Sequence, residues 1–223
     1  MSRALYVVLV SFVLTSHWSA VLARGKARSN SDACFSESVP PDRRIASCSA
    51  AIRSTQSPSA KASAFLNRAA AYGQKGEYGR AAEDSTQAIE RAPSAAAYYT
   101  RTLAYLDMGK DEQAIEDSNA ALGIDPKSEN ALFIRGSARQ NLADYLNAIK
   151  DYTEVLRLDP GRADTVFARG TAYFSAGEYR AAVADFNKTI EFGRADPAVL
   201  YLRDLAESEI RNRSDDRSDS PTE

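Results

Sequence analysis

Histidine, tryptophan and cysteine are nearly missing from this chain of 223 residues. The one His and the one Trp are neighbours, His17 and Trp18, and both fall in a stretch read below as a removable leader. A mature chain without His has no His base for a nucleophilic triad and no His-ligated zinc site. Carboxylate, Lys or Ser chemistry is not excluded by counting. An excess of either charge is lacking too. The 28 Lys and Arg stand against 30 Asp and Glu, a net charge of −2, so strong electrostatic attraction to nucleic acid is not expected. A phosphate-cradling G-x-x-x-x-G-K loop is absent, as are basic stretches interleaved with aromatics. No two acidic residues are singled out as facing each other across a cleft. With 11 Gly, 8 Pro and abundant Ala, the composition suits helices with sparse punctuation.

Residues 1–23 read as a secretory signal peptide. Arg3 supplies the positive start, and Ala4 to Leu14 form an apolar run broken only by Ser11. That run is short for a membrane span. Val21-Leu22-Ala23 fits a peptidase site, so the mature chain is expected to begin at Arg24. The rival reading is an uncleaved anchor. Cys34 lies too far downstream for a lipid-modified cysteine at the cleavage site. An exported chain meets an oxidising compartment, and the two cysteines, Cys34 and Cys48, suit one disulfide. Closing that loop is worth about 3 kcal/mol in the chain-entropy model. Pro40 and Pro41 force a non-helical excursion between the cysteines. Two Cys without His are a poor metal ligand set, and C-x-x-C redox spacing is absent.

The strongest signal is a self-match at 33 to 34 residues. Ala81, Ala114, Ala148 and Ala182 follow it, as do Arg68, Arg101, Arg135 and Arg169, and Asp84, Asp117, Asp151 and Asp185. Pro93, Pro126 and Pro160 close repeats. Each unit divides into two helical halves. In the fourth, Val166, Arg169, Gly170 and Tyr173 mark one helix face, and Tyr179, Ala182, Phe186, Thr189 and Ile190 mark a second. Gly76, Gly109 and Gly177 supply the break, where Gly tolerates a left-handed cap. Ala143 holds that place in the third repeat, so its turn must manage without Gly. Small residues such as Ala69, Gly136, Gly170 and the four aligned Ala allow close helix crossings.

The corresponding places read Phe65-Arg68-Ala69-Tyr72, Tyr98-Arg101-Thr102-Tyr105, Leu132-Arg135-Gly136-Arg139 and Val166-Arg169-Gly170-Tyr173. This pattern resembles the tetratricopeptide repeat family, with Arg where the family usually has Leu and with no Trp, and its Arg-Gly at the crossing with Asp in the second helix looks like the bacterial exported variety. The resemblance implies an all-α, right-handed solenoid of helix-turn-helix repeats. The expected organisation is a leader at 1–23, a linker with Cys34 at 24–41 and a half-repeat capping helix at 42–61. Repeats follow at 62–94, 95–128, 129–162 and 163–196. A capping helix at 197–211 and a disordered tail at 212–223, which has no apolar residue, complete the chain.

Arg68 with Asp84, Arg101 with Asp117, Arg135 with Asp151 and Arg169 with Asp185 are each sixteen residues apart. A structural salt bridge in every repeat is favoured over four anion-binding Arg, because a semi-buried Arg needs a carboxylate. In the family the first helices line a concave surface, which the resemblance assigns to Leu66, Tyr99, Phe133 and Phe167, with Leu106 and Phe174 two turns on. That apolar ladder reads either as a peptide-docking stripe open to water or as packing between first helices. The places of the chaperone-tail clamp carry Leu66, Ala70, Thr100, Asn130 and Ile134, so that subclass does not fit. The function expected is a non-enzymatic scaffold of the bacterial cell envelope, periplasmic or secreted, with no cofactor and no nucleic acid. It would bind a protein or peptide in its groove. A carrier of a small apolar ligand and a non-catalytic subunit of an envelope complex are the alternatives.

Overall fold

A computed structural model describes residues 32–218, and the expected leader therefore lies outside the described residues. After a 3-10 turn at Asp32–Cys34 come ten α-helices: α1 (Pro41–Ser54), α2 (Pro58–Gln74), α3 (Tyr78–Arg91), α4 (Ala95–Asp107) and α5 (Asp111–Ile124). Then follow α6 (Glu129–Asn141), α7 (Tyr145–Leu158), α8 (Ala163–Ser175), α9 (Tyr179–Glu191) and α10 (Pro197–Ser218). No strand occurs among the described residues, and the fold is an all-α helical repeat solenoid. The chain forms two compact units, divided after Ile134.

In the first unit each helix from α1 to α5 packs on the next, α2 also touches α4, and the 3-10 turn rests on α1 and α2. Phe65, Ala62, Ala88 and Ala97 make one buried cluster, edged by Ile52, Leu66, Ile89 and Ala92. Cys34, Cys48 and Ala64 make another, edged by Phe35, Ala51 and Ile52. In the second unit α7 packs on α8, α8 on α9, and α10 covers α9 and touches α8.

Start and stop signals act locally. Ser57 and Ser94 accept hydrogen bonds from the backbone N–H of Ala60 and Ala97, which caps α2 and α4. Each first helix ends in one device. The N–H groups of Glu77, Lys110, Asp144 and Glu178 reach back to the carbonyls of Tyr72, Tyr105, Arg139 and Tyr173. This bond needs a left-handed residue just before it. Gly76, Gly109 and Gly177 take φ of 75°, 68° and 79°, and Ala143 takes 62° despite its side chain.

Helix crossings trade volume between two positions. Gly136 lies against the ring of Tyr152 and Gly170 against that of Phe186. Where Ala69 and Thr102 replace the Gly, the facing residues are the small Ser85 and Ser118, both buried. The space at each crossing is filled once, from one side or the other. Ala81, Ala114, Ala148 and Ala182 are all fully buried.

Two expected boundaries are corrected. Helix α2 begins at Pro58, inside the half repeat expected at 42–61, because Ser57-Pro58 is a helix start of its own. The Cys34–Cys48 bond expected from the linker stretch is present, with both cysteines buried. Helix α10 continues to Ser218, so the disordered tail expected from 212 does not begin there. The Arg213 guanidinium explains part of that extension. It stacks on Tyr179 at 4.5 Å and donates to the Gly177 carbonyl at 3.2 Å.

Candidate functional site: the Arg–Asp ladder and the first-helix faces

All four expected Arg–Asp pairs form. In each, the guanidinium Nε and Nη2 donate to the two carboxylate oxygens over 2.7 to 3.0 Å. The fork matches the carboxylate in shape, which Lys could not reproduce. The four Asp are buried and the Arg are half-buried. Hydrogen bonding to the Asp raises the pKa of Arg68, Arg101 and Arg169 above the ordinary value, against the opposing effect of burial. These cations therefore stay charged at every pH the protein meets.

Two further features of the ladder were not drawn from the spacing. Arg68, Arg101 and Arg169 each donate a third bond from Nη1 to a hydroxyl on the preceding second helix. The acceptors are Ser49 at 2.8 Å, Thr86 at 2.9 Å and Thr153 at 3.3 Å. Each of these Arg thus joins three helices. Each also lies over aromatic rings of its own helix, Arg68 at 5.4 Å from Phe65 and 5.9 Å from Tyr72, and Arg101 at 5.9 Å from Tyr98 and 5.7 Å from Tyr105. Arg169 lies 5.8 Å from Tyr173. The third repeat differs. Arg139 stands where the others have Tyr, and it binds the same Asp151 at 2.7 Å that Arg135 holds. The substitution was visible in the sequence, but its partner was not.

The apolar ladder is corrected. Tyr99, Leu106, Phe133 and Phe167 are 7%, 7%, 4% and 5% exposed, so they do not form a stripe open to water. Phe167 packs near Phe186, and the guanidinium of Arg194 covers it at 4.4 Å. Only Leu66 and Phe174 of the six are half-exposed. Leu66 borders the Phe65 cluster, and Phe174 meets Tyr179 at 5.3 Å. Beside Leu66 on its helix stand Ser63 and Asn67, which are polar and uncharged. Near the start of α8, Asp164 is bonded to Arg162 and to Thr165. Among the described residues no group of three or more His, Cys, Asp or Glu is placed to hold a metal ion. No described helix is long and apolar enough to cross a membrane.

Sequence models described as tetratricopeptide repeat match residues 62–94, 95–128 and 135–213, which is more than half of the chain. No curated protein matches the sequence. Among solved structures the fold is similar to MamA, with a TM-score of 0.63 and 21% identity over 69% of this chain and 88% of that one. It is also similar to a tetratricopeptide repeat protein from Parabacteroides merdae ATCC 43184, with a TM-score of 0.67 and 19% identity over 80% and 70% of the two chains. A third, YrrB, described as having an unusual peptide-binding site, gives a TM-score of 0.64 and 19% identity over 74% and 84%. At such identities these structures speak to the fold alone.

Proposed function

This chain belongs to the tetratricopeptide repeat family, and from that premise we propose that it is an exported scaffold of the bacterial cell envelope that docks an extended protein segment on its first helices. The repeat fold is in general a non-catalytic interaction scaffold, and its proteins bind protein or peptide partners. The observation that carries the reading here is the repeat match through both units. The half-exposed Leu66 in the first unit and, separately, Phe174 in the second, rather than the buried rings, are then the apolar anchors that each unit by itself offers a partner. Uncharged polar neighbours such as Ser63 and Asn67 suit hydrogen bonding to a peptide backbone. Export is supported by the apolar run, by the Val21-Leu22-Ala23 pattern and by the Cys34–Cys48 bridge, which an oxidising compartment preserves.

In-cell crosslinking and mass spectrometry identify the partner, and two pairs of variants test the site. Leu66→Ser and Phe174→Ser should weaken binding at least about tenfold while leaving the unfolding midpoint nearly unchanged. Phe133→Ser and Phe167→Ser should instead destabilise by roughly 3 kcal/mol or more, as truncated core rings do. Leu66→Ser and Phe174→Ser variants that still bind at full strength would overturn the assignment. Edman sequencing of the protein from its native host should begin at Arg24, and a retained Met1 would sink the export reading.

A further inference from the structure

Arg44 is used neither by the repeat pattern nor by the docking surface. It occupies the register position of Ala81, Ala114, Ala148 and Ala182, where a second helix crosses its own first helix. Helix α1 is a second helix with no described first helix before it. The 3-10 turn at Asp32–Cys34 packs there instead, tied to α1 by the Cys34–Cys48 disulfide. On this same helix Arg44 is fully buried. Its Nη2 donates to Gln74 Oε1 at the end of α2, but Nε and Nη1 meet no acceptor among the described residues. The nearby Asp42 is exposed and engaged with Lys75 at 2.6 Å. Burial lowers the Arg44 pKa, and only the charge of Glu37 opposes this.

A buried cation with two idle donors disfavours the closed state, because opening would return both N–H groups to water. The disulfide acts the other way, since it removes conformations from the opened chain. We propose that residues 32–54 form a redox-released cap, in which the Cys34–Cys48 bond holds the turn closed on α1 and its reduction by a dithiol opens that edge of the first unit. One thiolate of the dithiol attacks a cystine sulfur, and the Cys34–Cys48 bond breaks. The second thiolate then resolves the mixed disulfide. The chain is left with two Cys thiols, and the reductant leaves as its own disulfide. The opened form exposes the Arg44 guanidinium and the surface around Ala64.

The test uses the whole chain, oxidised and after dithiothreitol. Hydrogen exchange read by mass spectrometry should accelerate about tenfold or more in 41–54 on reduction, with α4 and α5 unchanged. Arg44 should become reactive to phenylglyoxal only in the reduced chain. In Arg44→Met the unmet donors are gone, so the reduced variant should exchange in 41–54 at least about tenfold more slowly than the reduced wild type. The proposal is overturned if reduced wild type keeps α1 protected and Arg44 unreactive. It is equally overturned if Arg44→Met opens on reduction as far as wild type. Should Arg44→Met fail to fold, the reactivity of Arg44 in the two forms of the wild type decides by itself.

Discussion

At Gly136 one methyl group separates a filled crossing from an overfilled one. A Cβ added there would lie 2.8 Å from the Tyr152 ring. The ring cannot swing aside easily, because its hydroxyl is held by Ser137 Oγ at 3.2 Å and Gln140 Oε1 at 3.1 Å. Gly136→Ala should therefore destabilise by about 1–3 kcal/mol, measured by urea unfolding. At Arg101 the issue is charge. Asp117→Asn leaves a half-buried guanidinium without its carboxylate and should cost roughly 2–3 kcal/mol. The double variant Arg101→Met with Asp117→Leu should recover much of that loss in the same assay. The Arg–Asp pairing was legible because one spacing recurs in four repeats. The second cation on Asp151 was not, because Arg139 occurs once and no series marks its partner.

The turn between α6 and α7 shows what an element demands of one residue. Its closing bond, from the Asp144 N–H to the Arg139 carbonyl at 2.8 Å, requires left-handed backbone at Ala143. An L side chain there costs roughly 1–2 kcal/mol. Ala143 is exposed, so removing its methyl group loses little packing. Ala143→Gly should accordingly stabilise the protein by about 0.5–1 kcal/mol after the added freedom of the unfolded chain is subtracted, seen as a raised urea midpoint. Element ends were less legible than element identity. Ser57-Pro58 started α2 ahead of the repeat frame, and the contacts of Arg213 carried α10 past the point where apolar residues cease.

At the scale of the whole molecule, acid should weaken the second unit through two carboxylates. Burial would push Asp164 and Asp196 up, but bonds to Arg162 and Arg194 and to nearby backbone N–H groups outweigh it and hold both below the usual range. A carboxyl group depressed on folding contributes stability that is present above its unfolded value of about 3.9 and is lost as pH falls through its folded value. The urea midpoint should therefore drop as pH falls below about 4. Asp164→Asn should start lower at pH 7 and decline less steeply, so that the two curves converge in acid.

Hydrophobic periodicity, recurring Gly and Pro, and the sixteen-residue Arg–Asp step were enough to determine from sequence alone that this is an all-α repeat array with one salt bridge per repeat. Those features are local, and repetition multiplies the signal until chance is excluded. Exposure is not local. Tyr99, Phe133 and Phe167 share a helical register with Leu66 and Phe174, so periodicity could not separate rings that are buried from side chains that face water. Arg44 likewise reads as an ordinary surface cation in a polar segment. It is buried on a helix that the Cys34–Cys48 bond ties to the 3-10 turn, and only the folded arrangement decides that.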